Sequence, residues 1–320
     1  MNYPALHAPL TTPFADDGRV LYDRLQSNIA LYNETRLDGY VILGSTGEAV
    51  FLNTREKREV LKQAREAASD DRLLIAGTAE ESLRGTLEMT CFAAKLGYDA
   101  VLVRTPHYYK PVMTAEALVR FYRDLADASP LPVLLYNFPQ LTGLDLSVDV
   151  IAQLAEHPNI AGIKDSSGNL EKLASVLVAT AEMPARPALQ PRRQPVAAGR
   201  AGQAGEVAQR PFEAWVGSAA TYYPALCGGA RGAILGLAVA APQTLIKLRD
   251  AVVQGDHAHA RNKQEQILEA CAITGKLGLA AVKFAMDLNG YYGGAPRLPI
   301  LPLSPEQRKQ VQHAFRAVKR

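Results

Sequence analysis

Lys164 closes an apolar run of the chain, 160–164, where the sequence predicts a buried strand. If its side chain points inward, the ammonium group loses hydration, which favours the neutral amine. A neutral amine is the form that attacks a ketone and makes a Schiff base. Lysines such as Lys57 and Lys172 belong instead to charged helical segments and are expected to be solvated. Lys283 lies in an apolar helical segment and is expected to reach solvent from the edge of the core.

Formation of a Schiff base also needs a proton shuttle, because a carbinolamine must form and lose water. Tyr136 ends the preceding apolar run, 133–136. Adjacent parallel strands lie about 4.8 Å apart, so inward side chains near two neighbouring strand ends could meet. The tyrosine is therefore a candidate general acid/base, and packing in the core is its alternative role.

A short turn rich in glycine and hydroxyl groups follows an earlier apolar run. Residues 44–48 read GSTGE and place the hydroxyl groups of Ser45 and Thr46 between two glycines. Such a turn exposes backbone N–H groups beside two O–H groups, and it could bind the carboxylate of a substrate. A tight turn with solvated hydroxyl groups is the alternative interpretation, and this motif alone does not decide between them.

The elements that must position these residues are eight short apolar runs that alternate with helical patterns. Near-continuous hydrophobicity is typical of strands buried on both faces, and strand-then-helix units pair in parallel. We therefore predict an α/β fold, a (β/α)8 TIM barrel, whose chemistry lies at the carboxyl ends of the strands. An open doubly wound sheet is the alternative, but no GxGxxG follows the first run. The predicted strands are Leu6–Thr12, Tyr40–Gly44, Leu73–Thr78, Ala100–Thr105, Val133–Asn137, Ile160–Asp165, Ala214–Gly217 and Gly232–Leu237.

About 80 residues follow the eighth run, and their pattern is mostly helical. Ser304 and Gln307 have the spacing of a capping box at the start of a last helix. The sequence thus predicts a barrel over 1–240 and a helical C-terminal extension over 241–320.

One segment, 184–211, does not fit the barrel pattern. It is dominated by Pro, Gly, Ala, Arg and Gln, and it contains five arginines and one glutamate. Connections in such folds are usually short, so we interpret it as a disordered or partly ordered insertion on the outer or lower side of the barrel. It could tether an acidic partner or be a neutral insertion.

Composition excludes several classes of protein. The net charge is +3, and the insertion alone contributes +4, so the rest of the chain sums to −1. No basic face for nucleic acid is therefore expected. No run of about 18 apolar residues or targeting segment is recognisable, which predicts a cytoplasmic protein without a membrane span. Three cysteines lie far apart and without a CxxC pair, so reduced, mostly buried thiols are expected, with no disulfide and no zinc site.

Four motifs, in order, carry a resemblance to a known family. They read GSTGE at 44–48, TPHYYKP at 105–111, YNFPQLTG at 136–143 and IKDSSGNL at 163–170. In order and spacing, nearly the whole chain outside 184–211 resembles the dihydrodipicolinate synthase and N-acetylneuraminate lyase family. The resemblance implies a class I aldolase or lyase, in which an imine with pyruvate or a related 2-oxo acid allows a C–C bond to be made or broken at C3.

The resemblance also implies roles for individual residues. Lys164 would form the imine and Tyr136 would be the general acid/base beside it. Ser45 matches the hydroxyl position of the proton relay, and Thr46 matches the position that binds the substrate carboxylate, with Gly47 next to it. Tyr108 matches the tyrosine that completes the relay across a dimer interface.

Further expectations follow from the same resemblance. Ile234 aligns with a backbone contact to the substrate. The partners would be pyruvate and an aldehyde, with no metal and no organic cofactor. The family also implies a homo-oligomer, a tetramer built from tight dimers.

The second substrate is a separate question. Dihydrodipicolinate synthases usually carry an arginine two residues after the YNxP proline, and here Leu141 stands at that position. This departure, with the stretches LTGLDLSVDVIAQLAEHPNIAGIKDSSGNL and DLNGYYGGAPRLPILPLSP, favours the 4-hydroxy-2-oxoglutarate aldolase branch. The alternatives are 4-hydroxy-tetrahydrodipicolinate synthase, a sugar-acid dehydratase with the same imine, and a non-catalytic relative that binds a 2-oxo acid.

Overall fold

Eight parallel strands close into a barrel in the computed structural model, which describes residues 3–191 and 209–318. Going round the barrel, the order is β1, β2, β3, β4, β5, β6, β9, β10 and back to β1. The strands are β1 Ala5–Pro9, β2 Gly39–Ile42, β3 Leu73–Gly77, β4 Ala100–Arg104, β5 Val133–Asn137, β6 Ile160–Asp165, β9 Glu213–Val216 and β10 Gly232–Ile234. Two short strands, β7 Arg186–Pro187 and β8 Gln209–Arg210, pair with each other outside the barrel.

Helices alternate with the barrel strands and continue after the last one. Up to the eighth barrel strand they are α1 Tyr22–Asn33, α2 Thr54–Ala67, α3 Leu83–Lys95, α4 Ala115–Ala128, α5 Pro139–Thr142, α6 Val148–Ala155, α7 Leu170–Ala179 and α8 Tyr222–Cys227. After it they are α9 Pro242–Val253, α10 His257–Leu277, α11 Leu279–Leu288 and α12 Pro305–Ala314. Asn53 and Ser304 start α2 and α12 with complete capping boxes, and the one at Ser304 confirms the prediction from its spacing to Gln307.

The predicted fold is confirmed. Each of the eight apolar runs overlaps one strand of the barrel, and the helical C-terminal extension is present. The first and last runs were predicted too long, because β1 ends at Pro9 and β10 ends at Ile234. A 3-10 turn over Gly236–Val239 takes up the rest of the last run, where the apolar side chains stay buried without strand geometry.

The barrel interior has its own apolar cluster, separate from the layer between strands and helices. It consists of Val41, Leu73, Ile75, Ala100, Leu102, Leu134, Tyr136, Ala161, Trp215 and Ile234. His7 of β1 is also buried and stacks on Trp215, with ring centroids 4.8 Å apart. Burial lowers the pKa of His7 to about 4, although Asp38 and the backbone of Ala233 oppose the shift, so the ring is neutral at pH 7.

The sequence-based expectation for Lys283 was wrong. Its side chain lies in α11 but does not reach solvent, since it is completely buried and paired with Glu48. An apolar helix can hold a charged residue in this way only when the charge finds a partner inside the protein. The sequence pattern does not show that partner, because Glu48 is 235 residues away along the chain.

The ends of the 184–211 segment lie at the amino-terminal end of the barrel, which is its lower side. Arg186 is buried there, and its guanidinium donates to the carbonyl groups of Ile160 and Ala155. Leu189 packs against the cluster inside the barrel. The middle of the predicted insertion, 192–208, is outside the described residues.

Two other surface features bear on the sequence-based expectations. Among the described residues, no helix is both long enough and apolar enough to cross a membrane. The cysteines are free, as expected, but Cys91 and Cys227 are exposed rather than buried. The pattern was misinterpreted because cysteine was assumed to pack like a small apolar residue.

Candidate active site

Lys164 and Tyr136 lie side by side at the carboxyl end of the barrel. They are register partners on β6 and β5. The Lys164 Nζ atom is 4.1 Å from the centroid of the Tyr136 ring, and both residues are 4% exposed. Alternation along β6 sends Ile163 outward to the helices and Lys164 into the barrel. The amine and the phenol are therefore close enough to act on one substrate atom.

The Lys164 amine has no hydrogen-bond partner among the residues that the structure describes. Its nearest aromatic neighbour is the face of Tyr136, and a ring face attracts a cation but accepts no proton from it. An amine that is not tied up in an ion pair is available to react with a carbonyl carbon.

Ser45 joins this pair through its hydroxyl group. The Ser45 Oγ and Tyr136 hydroxyl oxygens are 3.3 Å apart, at the long end of hydrogen-bond distance. Ser45 is exposed, whereas Tyr136 is buried, so the contact connects the buried phenol to the open end of the barrel. Two of the predicted proton-relay hydroxyls are thus in contact in a single chain.

The rest of the GSTGE turn and Ile234 also lie at this end of the barrel. Thr46 is half-buried, and its Oγ1 atom is 3.7 Å from the position that a Cβ would take on Gly236. The carbonyl of Gly47 accepts a hydrogen bond from Thr12 Oγ1 at 2.6 Å. Ile234 is fully buried in the same interior cluster as Tyr136.

The backbone at both ends of this turn is unusual. Leu43 has φ 63° and Glu48 has φ 55°, and these are the two non-glycine residues with positive φ in the described chain. Gly77 allows the first of them, because a Cβ there would lie 2.1 Å from the Leu43 carbonyl oxygen. Backbone in this region costs about 1–3 kcal/mol per residue and persists where the surroundings fix it.

A polar network that the sequence analysis missed fixes the ends of β5 and β6. Asn137 is fully buried, and its Nδ2 atom donates to Asp165 at 2.8 Å and to Asp145 at 2.7 Å. Its Oδ1 atom accepts the backbone N–H of Leu146. Asn137 and Asp165 directly follow Tyr136 and Lys164 in the sequence, so the adjacency of two polar residues at two strand ends was the available signal.

Tyr108 is not brought to the site within one chain. It is 76% exposed, and its ring makes an edge contact with Tyr109. Glu81 fixes the backbone of its loop, since one carboxylate oxygen accepts the N–H groups of His107 and Tyr108, each at 2.9 Å. Burial opposes ionisation of Glu81, but those N–H groups and Arg104 outweigh it and hold the pKa of the carboxyl below its ordinary value.

An apolar side chain, Leu141, occupies the position where the resemblance implies an arginine in dihydrodipicolinate synthases. Leu141 lies in α5 and is 60% exposed. Its neighbour Gln140 donates to the carbonyl of Ser167, which follows β6. No cationic group is therefore supplied by position 141 at this edge of the site.

Comparison with known proteins decides the family. Residues 3–183 and 200–318 match the sequence profile of the Dihydrodipicolinate synthetase family. The chain belongs to this family. The match omits 184–199, which lies inside the segment predicted as an insertion. As an enzyme of the dihydrodipicolinate synthetase family, the protein is a carbon–carbon lyase, as its motifs predict.

Individual relatives of the family align along almost the whole chain. A mitochondrial protein of Emericella nidulans named "Probable 4-hydroxy-2-oxoglutarate aldolase" is 33% identical over 98% of this chain and 94% of its own length. A 4-hydroxy-tetrahydrodipicolinate synthase of Exiguobacterium sp. is 29% identical over 92% of this chain and 91% of its own. The crystal structure of DHDPS from Cyanidioschyzon merolae, with lysine bound, superposes with a TM-score of 0.85 at 26% identity, covering 99% and 98% of the two chains.

Proposed function

We propose that this protein is a pyruvate-dependent Schiff-base aldolase in which Lys164 forms the imine. The observation that carries the proposal is the juxtaposition of the Lys164 amine and the Tyr136 ring at the carboxyl end of the barrel, 4.1 Å apart. A buried amine that has no ion-pair partner in the described part of the chain, next to a phenol, supplies both the nucleophile and the proton donor that imine formation requires.

The first steps use the residues in contact. The amine of Lys164 attacks C2 of a 2-oxo acid, and the carbonyl oxygen takes a proton to give a carbinolamine. Tyr136 supplies that proton and assists loss of the hydroxyl group as water, which leaves the imine. Ser45, 3.3 Å from the phenol, returns protons from the open end of the barrel. Thr46 and the adjacent Gly47 hold the substrate carboxylate.

The imine then acts as an electron sink. For a 4-hydroxy-2-oxo acid, a base takes the proton of the C4 hydroxyl group and the C3–C4 bond breaks. The bonding electrons pass into the imine, which becomes an enamine, and an aldehyde leaves. Protonation of the enamine at C3 and hydrolysis of the imine release pyruvate and restore the amine. The reverse sequence forms the bond.

We propose 4-hydroxy-2-oxoglutarate as the substrate, so that the aldehyde is glyoxylate. Leu141 argues against aspartate semialdehyde as the second substrate, because an apolar side chain cannot pair with the carboxylate of that aldehyde. The relative from Emericella nidulans bears the corresponding name. Condensation of pyruvate with aspartate semialdehyde is the second candidate, favoured by the names of relatives such as the one from Exiguobacterium.

The exposure of Tyr108 supports an assembly in which it completes the relay of a second copy. A tyrosine that is 76% exposed next to another that is 70% exposed is unusual on a surface that faces only water. We propose tight dimers, paired into a tetramer, with Tyr108 reaching into the partner's site. A cytoplasmic location stays a prediction.

Borohydride reduction in the presence of pyruvate tests the imine. We expect a stable mass increase on the peptide that contains Lys164, since reduction converts the imine to a secondary amine. A Lys164→Ala variant should fold, give no adduct and lose turnover. Absence of an adduct at Lys164 in the wild-type protein would disprove the proposal.

Two assays run side by side test the substrate. One measures pyruvate release from 4-hydroxy-2-oxoglutarate, and the other measures condensation of pyruvate with aspartate semialdehyde. We expect the first to proceed and the second to be slower by orders of magnitude. If only the second proceeds at a useful rate, the inference from Leu141 is wrong. An adduct with pyruvate but no turnover of either substrate would instead leave the sugar-acid dehydratase and the non-catalytic relative as the alternatives.

A further inference from the structure

Glu48, the last residue of the GSTGE turn, forms a completely buried ion pair with Lys283 of the C-terminal extension. The Lys283 Nζ and Glu48 Oε1 atoms are 2.6 Å apart, and neither side chain is exposed to solvent. Removing two charges from water is costly, and a buried pair often stabilises a fold no better than apolar residues of similar size. Stability alone therefore does not explain this pair.

The pair is bonded to its surroundings through every available group. Lys283 Nζ also donates to the carbonyl groups of Thr12, at 2.9 Å, and Ala295, at 3.0 Å. The second carboxylate oxygen of Glu48 accepts the backbone N–H of Arg297 at 2.8 Å. The network thus joins three separate parts of the chain: the loop after β1, the GSTGE turn and the segment that follows α11.

The network holds the turn at two consecutive residues, Gly47 and Glu48. Thr12 accepts from Lys283 through its carbonyl group, and its hydroxyl group donates to the carbonyl of Gly47 at 2.6 Å. Gly47 and Glu48 are consequently held by the buried side chains of Thr12 and Lys283. Ser45 and Thr46 precede them directly in the sequence.

The backbone conformation of Glu48 is one that needs support from its surroundings. Its φ of 55° and ψ of 31° are in the left-handed region, where a residue with a side chain is strained. A strained residue keeps its conformation only when the surroundings fix it, and the carboxylate contacts with Lys283 and Arg297 do so. Burial lowers the pKa of the Lys283 ammonium, while Glu48 beside it acts in the opposite direction.

We infer that Glu48 and Lys283 are positioning residues, which hold the turn so that Ser45 and Thr46 meet the carboxylate and the reacting carbon of the 2-oxo acid. This inference rests on the proposed function of the turn. Neither residue touches the substrate, so their effect is on the geometry of binding. The C-terminal extension, through α11, is then part of the machinery that shapes the site.

The test is the pyruvate concentration that half-saturates borohydride trapping at Lys164. The double variant Glu48→Gln/Lys283→Met removes both charges and keeps the volume of each side chain. We expect its half-saturating concentration of pyruvate to rise roughly tenfold or more, since a small displacement of the groups that bind the substrate weakens binding strongly. The turnover number should change less than KM, because Lys164 and Tyr136 stay in place.

A second ion pair, in which the cation is buried and the carboxylate is partly exposed, supplies a control at the other end of the barrel. Arg249 of α9 is 1% exposed and binds Asp38 at the amino-terminal end of the barrel, where Asp38 also accepts the N–H of Leu6. The double variant Asp38→Asn/Arg249→Met should lower the thermal midpoint without changing half-saturation by pyruvate. An equal rise in both double variants would mean that the effect is general loosening, and it would overturn the inference.

The outcomes separate this inference from the proposed function. If the wild-type protein gives no adduct, the proposed function fails. If it gives one and Glu48→Gln/Lys283→Met traps with unchanged half-saturation, the positioning role is wrong. Should the double variant not fold, Glu48→Asp alone decides, because it keeps the charge opposite Lys283 but withdraws the carboxylate from its present contacts by one methylene group. Wild-type half-saturation in that variant would equally overturn the inference.

Discussion

Asn137 and Asp165 are register partners on β5 and β6, and the Asn137 Nδ2 atom donates to the Asp165 carboxylate at 2.8 Å. Each directly follows one member of the pair Tyr136 and Lys164. This hydrogen bond therefore ties the two strands together at the level where the amine and the phenol must stay in contact. Both side chains are buried, so the bond is shielded from competing water.

Asn137→Ala should lower the turnover number and the stability together. The change leaves the buried Asp165 carboxylate without one donor, which costs about 1–3 kcal/mol in the free energy of unfolding. Asn159 is a matched control, since its amide donates to three carbonyl groups at the opposite end of the same strands. Asn159→Ala should lower the thermal midpoint but leave the turnover number unchanged. Equal turnover in the two variants would contradict the positioning role of Asn137.

Tyr136→Phe should reduce the turnover number by roughly 10²- to 10⁴-fold, the usual contribution of a general acid/base. The ring contact with Lys164 survives in this variant, so the protein should still bind pyruvate and form the imine slowly. Ser45→Ala should have a smaller effect, because its 3.3 Å contact with the phenol is one link of a relay. Steady-state kinetics measure the turnover number of each variant, and the rate of borohydride trapping measures how fast each forms the imine. A Phe variant with wild-type turnover would exclude Tyr136 as the proton donor.

Subunit mixing should reveal whether Tyr108 acts across an interface. Tyr108→Phe and Lys164→Ala variants are each expected to have low activity. A hybrid of the two contains one site with Lys164 from one subunit and Tyr108 from the other, so activity should recover after unfolding and refolding the mixture. A mixture of Lys164→Ala and Tyr136→Phe is the control and should stay inactive, because both residues belong to one chain's site. No recovery in the first mixture would place Tyr108 outside the partner's site.

Leu141→Arg should improve the condensation of pyruvate with aspartate semialdehyde. A guanidinium at this exposed position can pair with the carboxylate of the aldehyde, and a charge-assisted bond of about 1.4 kcal/mol lowers KM about tenfold. Leu141→Gln is the matched control, since it is polar but carries no charge. We expect the lower KM in the arginine variant alone. If KM is unchanged, position 141 does not contact the second substrate.

His7 should make stability depend on pH. Its pKa falls from an ordinary 6.5 to about 4 in the folded chain, so below pH 6.5 the unfolded chain binds a proton that the folded chain does not. Stability is fully present above pH 6.5 and is lost as the pH falls towards 4, by roughly 3 kcal/mol at most. His7→Phe keeps the stack on Trp215 but cannot bind a proton. The thermal midpoint should therefore fall less between pH 7 and pH 4.5 in the variant, and an equal fall would contradict the assignment.

The sequence was sufficient for the fold and for the Lys164 and Tyr136 pair. Strand positions follow from apolar runs, and the parallel arrangement then places the ends of neighbouring runs side by side. Two residues at equivalent ends of consecutive strands must come together, and they do. A local pattern also predicted the capping box at Ser304, because a cap depends on residues three positions apart.

The contacts between distant segments could not be predicted in the same way. Lys283 lies 235 residues from Glu48, and no local pattern links an apolar helix to a glycine-rich turn. The interaction depends on how the C-terminal helices pack on the barrel, which propensity does not specify. Tyr108 is a related case, since its side chain is 76% exposed in one chain and its contribution to a partner's site stays a proposal.

The short pairing of Arg186–Pro187 with Gln209–Arg210 holds the two ends of the intervening segment side by side. That pairing is at the amino-terminal end, while Lys164 lies near the carboxyl end of its strand. Protein engineers therefore have a place where a reporter domain or an affinity tag could be spliced between two fixed ends, far from the chemistry. We expect an enzyme labelled there to retain its kinetics, so the segment suits attachment to a surface for immobilisation or single-molecule work.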